Sequence, residues 1–179
     1  MNLKFATTAA AAAALVFASA NLAVAQPAGA PNDAQIAHIA YTAGLIDIAA
    51  AKQALAKSKN PEVRSFAQEM VRDHTAVNDQ ALALVKKLHV TPQDNPTSKA
   101  LTAAGAQHRA DYARLSGHAF DLAYARNEVA YHKTVDGALA GTLIPDAQNA
   151  ELKSLLQTGL KLFQMHEQHA EEVVAKLGK

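Results

Sequence analysis

The apolar residues of this chain recur at the spacing of an amphipathic α-helix in four long segments, which proline- or glycine-containing breaks separate. At about 100° per residue, each segment gathers its apolar side chains on one face, and no stretch shows the alternation of a β-strand. Alanine supplies much of the 50% hydrophobic content, which favours helix over sheet. We therefore expect an all-α fold in which the four apolar stripes face a common core.

Turn signals set the predicted helix boundaries. Asp33 is the expected cap of the first helix, and Asn60-Pro61 opens the second. Pro92 and Pro96 break the pattern after the second helix, and Ile144-Pro145-Asp146 is expected to be a tight turn before the last. The predicted helices span residues 33–58, 61–88, 97–115, 117–142 and 147–177. Two hairpins of long helices, joined by a connection that contains the extra third helix, predict a ferritin-like four-helix bundle with one long crossover.

The N-terminal 25 residues have the layout of a secretory signal peptide. Lys4 gives a positive start, residues 9–20 form an apolar run, and Ala23-Val24-Ala25 matches a cleavage site. We expect cleavage after Ala25, a flexible leader over residues 26–32, and a bundle over residues 33–179. The sequence thus predicts export to the periplasm or cell envelope, with no transmembrane segment after cleavage.

Composition and missing motifs exclude several kinds of function. The chain has no cysteine, which excludes disulfides, thiolate metal sites and cysteine nucleophiles. A formal charge of +1 argues against a nucleic-acid partner. The sequence has no glycine-rich phosphate loop, no G-x-S-x-G and no H-E-x-x-H motif. We therefore expect a non-catalytic protein. The sequence identifies no particular partner, and the candidates are an envelope protein and a second copy of the chain.

Polar residues interrupt the apolar stripes, and each bundle helix carries at least one. These stripe residues are Asp47, His74, Glu128, His132 and His166. Carboxylates and imidazoles that converge in a bundle core can bind iron, manganese or zinc. Asp73 and His169 flank the stripes and are candidate outer or alternate ligands. The pattern thus predicts a metal site in the bundle core.

Helix lengths test whether these residues can meet. Asp47 and His74 lie at similar distances from the turn near Asn60, so they are expected to face each other across the first hairpin. Counted from the turn near Ile144, His166 falls level with Asp121 and is offset from Glu128 by roughly 9 Å, at about 1.5 Å per residue. The helix lengths therefore do not predict a single tight site.

Two other interpretations fit the same residues. The buried histidines and acids could pair with one another in a structural or interaction module that binds no metal. An iron oxidase is a weaker alternative, because the Glu-x-x-His pairs of di-iron bundles are missing. The remaining histidines are expected to be solvated; they are His38, His89, His108 and His118.

Four segments resemble the secreted bacterial domain-of-unknown-function family DUF4142. They are residues 40–52, 66–75 (FAQEMVRDHT), 120–132 and 163–170. The Asp73-His74 and Tyr131-His132 steps are the more specific parts, and the resemblance covers residues 33–177. It implies an envelope-associated bundle with the crossover topology, and it points to Asp47, His74, His132 and His166 as matching positions. It implies no particular activity.

Overall fold

A computed structural model describes residues 29–179, and this part of the chain is helical without any β-strand. The predicted signal peptide, residues 1–25, lies outside the described residues. The helices are α1 (Asp33–Lys57), α2 (Pro61–Lys87), α3 (Pro96–Ala113), α4 (Gly117–Ala138), α5 (Ile144–Asp146) and α6 (Ala150–Leu177). A π-helical turn, Leu139–Leu143, joins α4 to α5. The all-α prediction is confirmed.

The cap of α1 is Asn32, so the prediction of Asp33 was wrong by one residue. The Asn32 side chain accepts a hydrogen bond from the Gln35 backbone N–H at 2.9 Å, and the Gln35 side chain accepts one from the Asn32 N–H at 3.0 Å. The Asp33 carboxylate instead accepts hydrogen bonds from the backbone N–H groups of Gln148 and Asn149, at 2.8 and 2.9 Å. It thereby ties the start of α1 to the turn before α6.

Asparagine-proline steps begin two helices. Asn60 accepts hydrogen bonds from the backbone N–H groups of the second and third residues of α2, with Pro61 in the first position, as predicted. Asn95 caps α3 in the same way, through the Ser98 backbone N–H at 3.0 Å. Proline is tolerated at a first helical position, where its missing N–H would have no partner within the helix.

The turn between α4 and α6 differs from the prediction. Helical backbone continues through the π-helical turn and α5, so the tight turn expected at residues 144–146 is absent from this described segment. Pro145 lies in the first turn of α5, where it breaks no hydrogen bond within that helix. The chain reverses at residues 147–149, and Asn149 caps α6 through the Glu151 and Leu152 backbone N–H groups.

Contacts between helices give the topology. α1 and α2 form one antiparallel hairpin, and α4 and α6 form another. α3 returns beside α1 in the same direction, and the side chains of Gln53 and Lys57 donate to the α3 carbonyls of Arg109 and Ala113. α2 and α4 therefore run in the same direction, as one long crossover with an extra helix requires. The ferritin-like assignment of this bundle stays a prediction.

The apolar core is divided into two clusters along the bundle axis. One cluster surrounds Phe66, Tyr124 and Val173. The other surrounds Ile36 and Leu156, at the opposite end of the helices. The sequence positions between the two clusters hold the polar stripe residues, which therefore form a layer across the middle of the bundle.

Among the described residues, α1 is long and apolar enough to cross a membrane by length and composition. Half of its most apolar window is buried inside the protein. It packs against α2, α3 and α4, and Asp47 lies within it. A core helix of a bundle satisfies the same test, so its composition is explained by packing within the bundle.

Candidate metal centre

Three imidazole rings meet in the middle of the bundle. His74 comes from α2, His132 from α4 and His166 from α6, and none is more than 2% exposed. The ring centroids are 5.7 Å apart for His74 and His132, 5.3 Å for His74 and His166, and 5.6 Å for His132 and His166. One nitrogen from each ring lies within 4.8 Å of the other two. Such a group can share one small cation.

The convergence of His132 and His166 corrects the helix-length argument. With a turn near Ile144, His166 would lie level with Asp121. The reversal lies at residues 147–149 instead, and the two histidines stand at nearly equal separations from it on α4 and α6. The expected pairing of Asp47 with His74 is confirmed, since Oδ2 of Asp47 lies 3.4 Å from Nε2 of His74.

Hydrogen bonds fix the tautomers of two of the rings. Nδ1 of His132 donates to the Glu128 backbone carbonyl at 2.9 Å, and this leaves Nε2 as a lone-pair acceptor without a partner. Nε2 of His166 donates to Oδ2 of Asp73 at 3.1 Å, and this leaves Nδ1 without a partner. Neither nitrogen of His74 makes a hydrogen bond. Each of the three rings therefore carries a free nitrogen.

Burial keeps these rings neutral. It lowers the pKa of His74 to about 3, and it lowers the pKa values of His132 and His166 as well. A neutral imidazole is the form that binds a metal. A buried polar atom without a partner is costly, and few native groups are left in that state. Three buried rings with such nitrogens, gathered in one place, therefore point to a common ligand.

Two buried carboxyl groups lie beside the imidazoles. A carboxylate oxygen each from Asp47 and Glu128 and a nitrogen of His132 all lie within 4.8 Å of one another. Burial raises the pKa of Asp47, and burial together with the charge of Asp47 raises the pKa of Glu128 well above its ordinary value. The neutral form of Glu128 is therefore favoured in the metal-free protein, and a cation would favour its ionised form.

The two flanking residues lie at the edge of this centre. Asp73 accepts hydrogen bonds from Arg72 at 2.7 and 2.9 Å, and its pKa is held below the ordinary value mainly by that guanidinium. It therefore stays ionised beside His166. His169 donates from Nδ1 to Oε2 of Glu69 at 2.6 Å and is about a third exposed. Asp73 thus orients His166, which is a candidate ligand. His169 instead pairs with Glu69 and lies outside the group of three rings.

The other histidines and two further polar residues complete the description. His89, His108 and His118 are exposed as predicted, whereas His38 is half-buried. The sequence reasoning missed Asp136 and Asn78, which are both buried. Asp136 follows His132 by four residues and Asn78 follows His74 by four, so the spacing of one helical turn could have identified them.

Phe163 separates this polar layer from the apolar cluster above it. Its ring stacks on His74 with a centroid distance of 4.7 Å and an interplanar angle of 10°. This contact holds the His74 ring in place without using either nitrogen. Since no hydrogen bond fixes the tautomer of His74, either of its nitrogens can carry the lone pair that binds a ligand.

The fold and the site together define an all-α bundle with a buried group of histidines and carboxylates. The chain belongs to the DUF4142 family, a domain of unknown function, whose model matches residues 18–173. The family resemblance is thereby confirmed. No curated protein and no solved structure matches the chain.

Proposed function

We propose that this protein binds a transition-metal ion in the middle of the bundle, through His74, His132 and His166. The observation that carries the proposal is the convergence of three buried, neutral imidazoles, each with a nitrogen that no protein group contacts by a hydrogen bond. Asp47 and Glu128 supply carboxyl groups beside them, which would balance the charge of a divalent ion.

The donor set indicates which ions to test first. Imidazole suits zinc, iron, copper and nickel, whereas oxygen-rich sites suit manganese. Of the ions that the sequence suggested, zinc and iron therefore fit the three histidines better than manganese does. The role proposed is binding; oxidation of ferrous iron would need a separate demonstration by oxygen consumption.

The layout of residues 1–25 supports export as part of the same proposal. A bundle that binds a metal in the periplasm or cell envelope would acquire the ion after export. The test is N-terminal sequencing of the protein recovered from the periplasmic fraction, which we expect to begin at Gln26. Recovery of an uncleaved chain from the cytoplasm would contradict the location and would leave the metal proposal unaffected.

The first test of the metal proposal is metal content by mass spectrometry. The protein is purified without chelator or affinity metal, beside His74→Gln, which keeps the volume of the side chain, and His118→Gln, an exposed control. We expect one equivalent of metal in the native protein and in His118→Gln, and a loss in His74→Gln. Circular dichroism confirms that each variant is folded.

A different result would favour a structural role. If the native protein contains no metal, and zinc, iron or copper added to the apoprotein does not raise its melting temperature, the site does not bind metal. The buried histidines and acids would then only fix the register of the bundle. The search would turn to protein partners of the envelope or to a second copy of the chain.

A further inference from the structure

The half of the bundle beyond Phe163 encloses an apolar cavity of about 180 Å³. It lies between α1, α2, α4 and α6, and its walls are almost entirely hydrocarbon. Protein interiors are normally packed as densely as organic crystals, with few voids larger than a water molecule. An apolar cavity of ~150 Å³ engineered in another protein stays dry and binds benzene, so this cavity is large enough for a small apolar molecule.

Small side chains create the space. Ala37 and Ala40 of α1 line the cavity, together with Ala81 of α2 and Gly159 of α6. At these positions a leucine-sized side chain would fill the core of an ordinary bundle. The void thus results from the choice of residues on three helices.

The π-helical turn forms another part of the wall. Leu139 and Leu143, its first and last residues, are buried and line the cavity. π-helical turns are rare in proteins, and those that occur are often found at functional sites. The π-helical turn is therefore a second feature of this cavity, independent of the small side chains that line it.

The residues that line the cavity extend along two of the helices. Its lining extends on α6 from Leu152 to Phe163 and on α1 from Ala37 to Gly44, which at about 1.5 Å per residue corresponds to roughly 10 to 16 Å. Thr97 and Ala138 at its edge are exposed, so the cavity can be entered between α3 and the end of α4. We propose that it binds an unbranched aliphatic chain, which enters at this edge and extends toward Phe163.

This site does not depend on the metal proposal. Phe163 lines the cavity and also stacks on His74, but none of the candidate metal ligands is among the residues that line the cavity. The binding experiment therefore uses chelator-treated protein. Neither binding nor its absence in this experiment would bear on the metal proposal.

The test is isothermal titration calorimetry with 1-hexanol, 1-heptanol and 1-octanol. We expect saturable binding of one molecule, with affinity rising roughly fourfold for each added methylene, the transfer free energy of one CH₂ group. Cyclohexanol, which has as many carbons as hexanol in a compact shape, is expected to bind more weakly than hexanol.

Variants that fill the cavity locate the site. Ala40→Leu and Ala81→Leu each place a larger side chain at its wall, and we expect each to weaken octanol binding at least tenfold. Ala83→Leu, at an exposed position of α2 outside the cavity, is the matched control and is expected to bind octanol as the native protein does.

Three results would overturn the proposal. The first is the absence of saturable binding up to the solubility limit of octanol. The second is unchanged affinity in both Ala40→Leu and Ala81→Leu, because the alcohol would then bind elsewhere. The third is a preference for cyclohexanol over hexanol, which would assign the cavity to compact rings.

Discussion

His166 of α6 donates its Nε2 proton to Asp73 of α2, so that a carboxylate at the edge of the bundle fixes the tautomer of an imidazole at its centre. The ring is completely buried, and its other nitrogen is left as the free acceptor. Histidine ligands of metals almost always have an outer partner of this kind, which fixes the ring and raises its basicity.

Asp73→Ala is therefore expected to weaken metal binding by about 10- to 100-fold while leaving the bundle folded. The ring of His166 would remain in place, but it would lose the carboxylate that fixes its tautomer. The measurement is a competition titration against a chromophoric chelator. Asp79→Ala, at an exposed position of the same helix, is the control and should bind metal as the native protein does. Equal affinity in both variants would remove Asp73 from the centre.

Glu128→Gln separates a binding role from a structural one. Because burial favours the neutral form of Glu128 in the metal-free protein, the amide is close in shape and charge to that form. We expect the free energy of unfolding of chelator-treated protein to change by less than about 1 kcal/mol. Metal affinity should fall, because the amide cannot become a negative ligand.

Chemical denaturation and metal titration of the same samples give the two quantities for Glu128→Gln. The exposed Glu172→Gln is the matched control, and neither quantity should change in it. A large loss of stability in the metal-free Glu128→Gln variant, with unchanged metal affinity, would mean that the carboxyl group serves the fold alone.

At Gly105 the crossover helix packs tightly against Ile46 of α1. A Cβ atom at this position would lie 2.8 Å from Cγ2 of Ile46, a branched side chain that has little freedom to move. Gly105→Ala is expected to lower the free energy of unfolding by about 1–2 kcal/mol. Gly137→Ala, where a Cβ atom meets no neighbour within 4 Å, should raise it by about 0.5–1 kcal/mol.

Urea denaturation of the two glycine variants gives this comparison directly. Both positions are helical, so the gain in helix propensity is the same and only the contact with Ile46 differs. A stabilised Gly105→Ala variant would show that α3 packs less closely on α1 than the structure indicates.

Asp136 predicts how stability depends on pH. Its side chain is buried, neither carboxylate oxygen has a hydrogen-bond partner, and burial raises its pKa to about 7. The ionised form is thus disfavoured in the folded protein relative to the unfolded chain. Ionisation of Asp136 does not destabilise the fold at pH values below the ordinary carboxyl pKa. The loss of stability grows as the pH rises toward 7, and it is complete at pH values above 7.

Asp136→Asn should therefore melt at nearly the same temperature as the native protein at pH 4 and at a higher temperature at pH 8. Differential scanning calorimetry at the two pH values measures the difference. Asp79→Asn, on an exposed surface, should show no such change with pH. If Asp136→Asn raised the melting temperature equally at both pH values, ionisation of Asp136 would not be the cause of the stabilisation.

Helix periodicity predicted the fold because local signals were sufficient. The predicted cap at Asn60 lies next to a proline that fixes the first helical residue, and the apolar stripes do face the core. Pro96 was interpreted only as a break, but it is the first residue of α3, which Asn95 caps. The turn before α6 was misplaced because Pro145 indicated a break. Proline is also compatible with the first turn of a helix, and sequence alone does not distinguish the two positions.

That one turn also limited the prediction of the site. The burial of Asp47, His74, Glu128, His132 and His166 followed from their places on the stripes, and all five are buried. Whether His166 meets His132 depended on where the chain reverses, and an error of a few residues shifts a helix by several ångströms. The hydrogen bond of Asp73 to His166 is a contact between distant segments, which no local pattern encodes.

The position of the three rings has a consequence for a chain that lacks cysteine. His74 belongs to the α1–α2 hairpin, whereas His132 and His166 belong to the α4–α6 hairpin, and α3 is the covalent link between the two. An ion shared by these rings would act as a reversible cross-link that closes the long loop from α2 to α6 and restricts the unfolded chain. The local supply of metal, rather than the redox state of the surroundings, would then determine how tightly the two hairpins are held together.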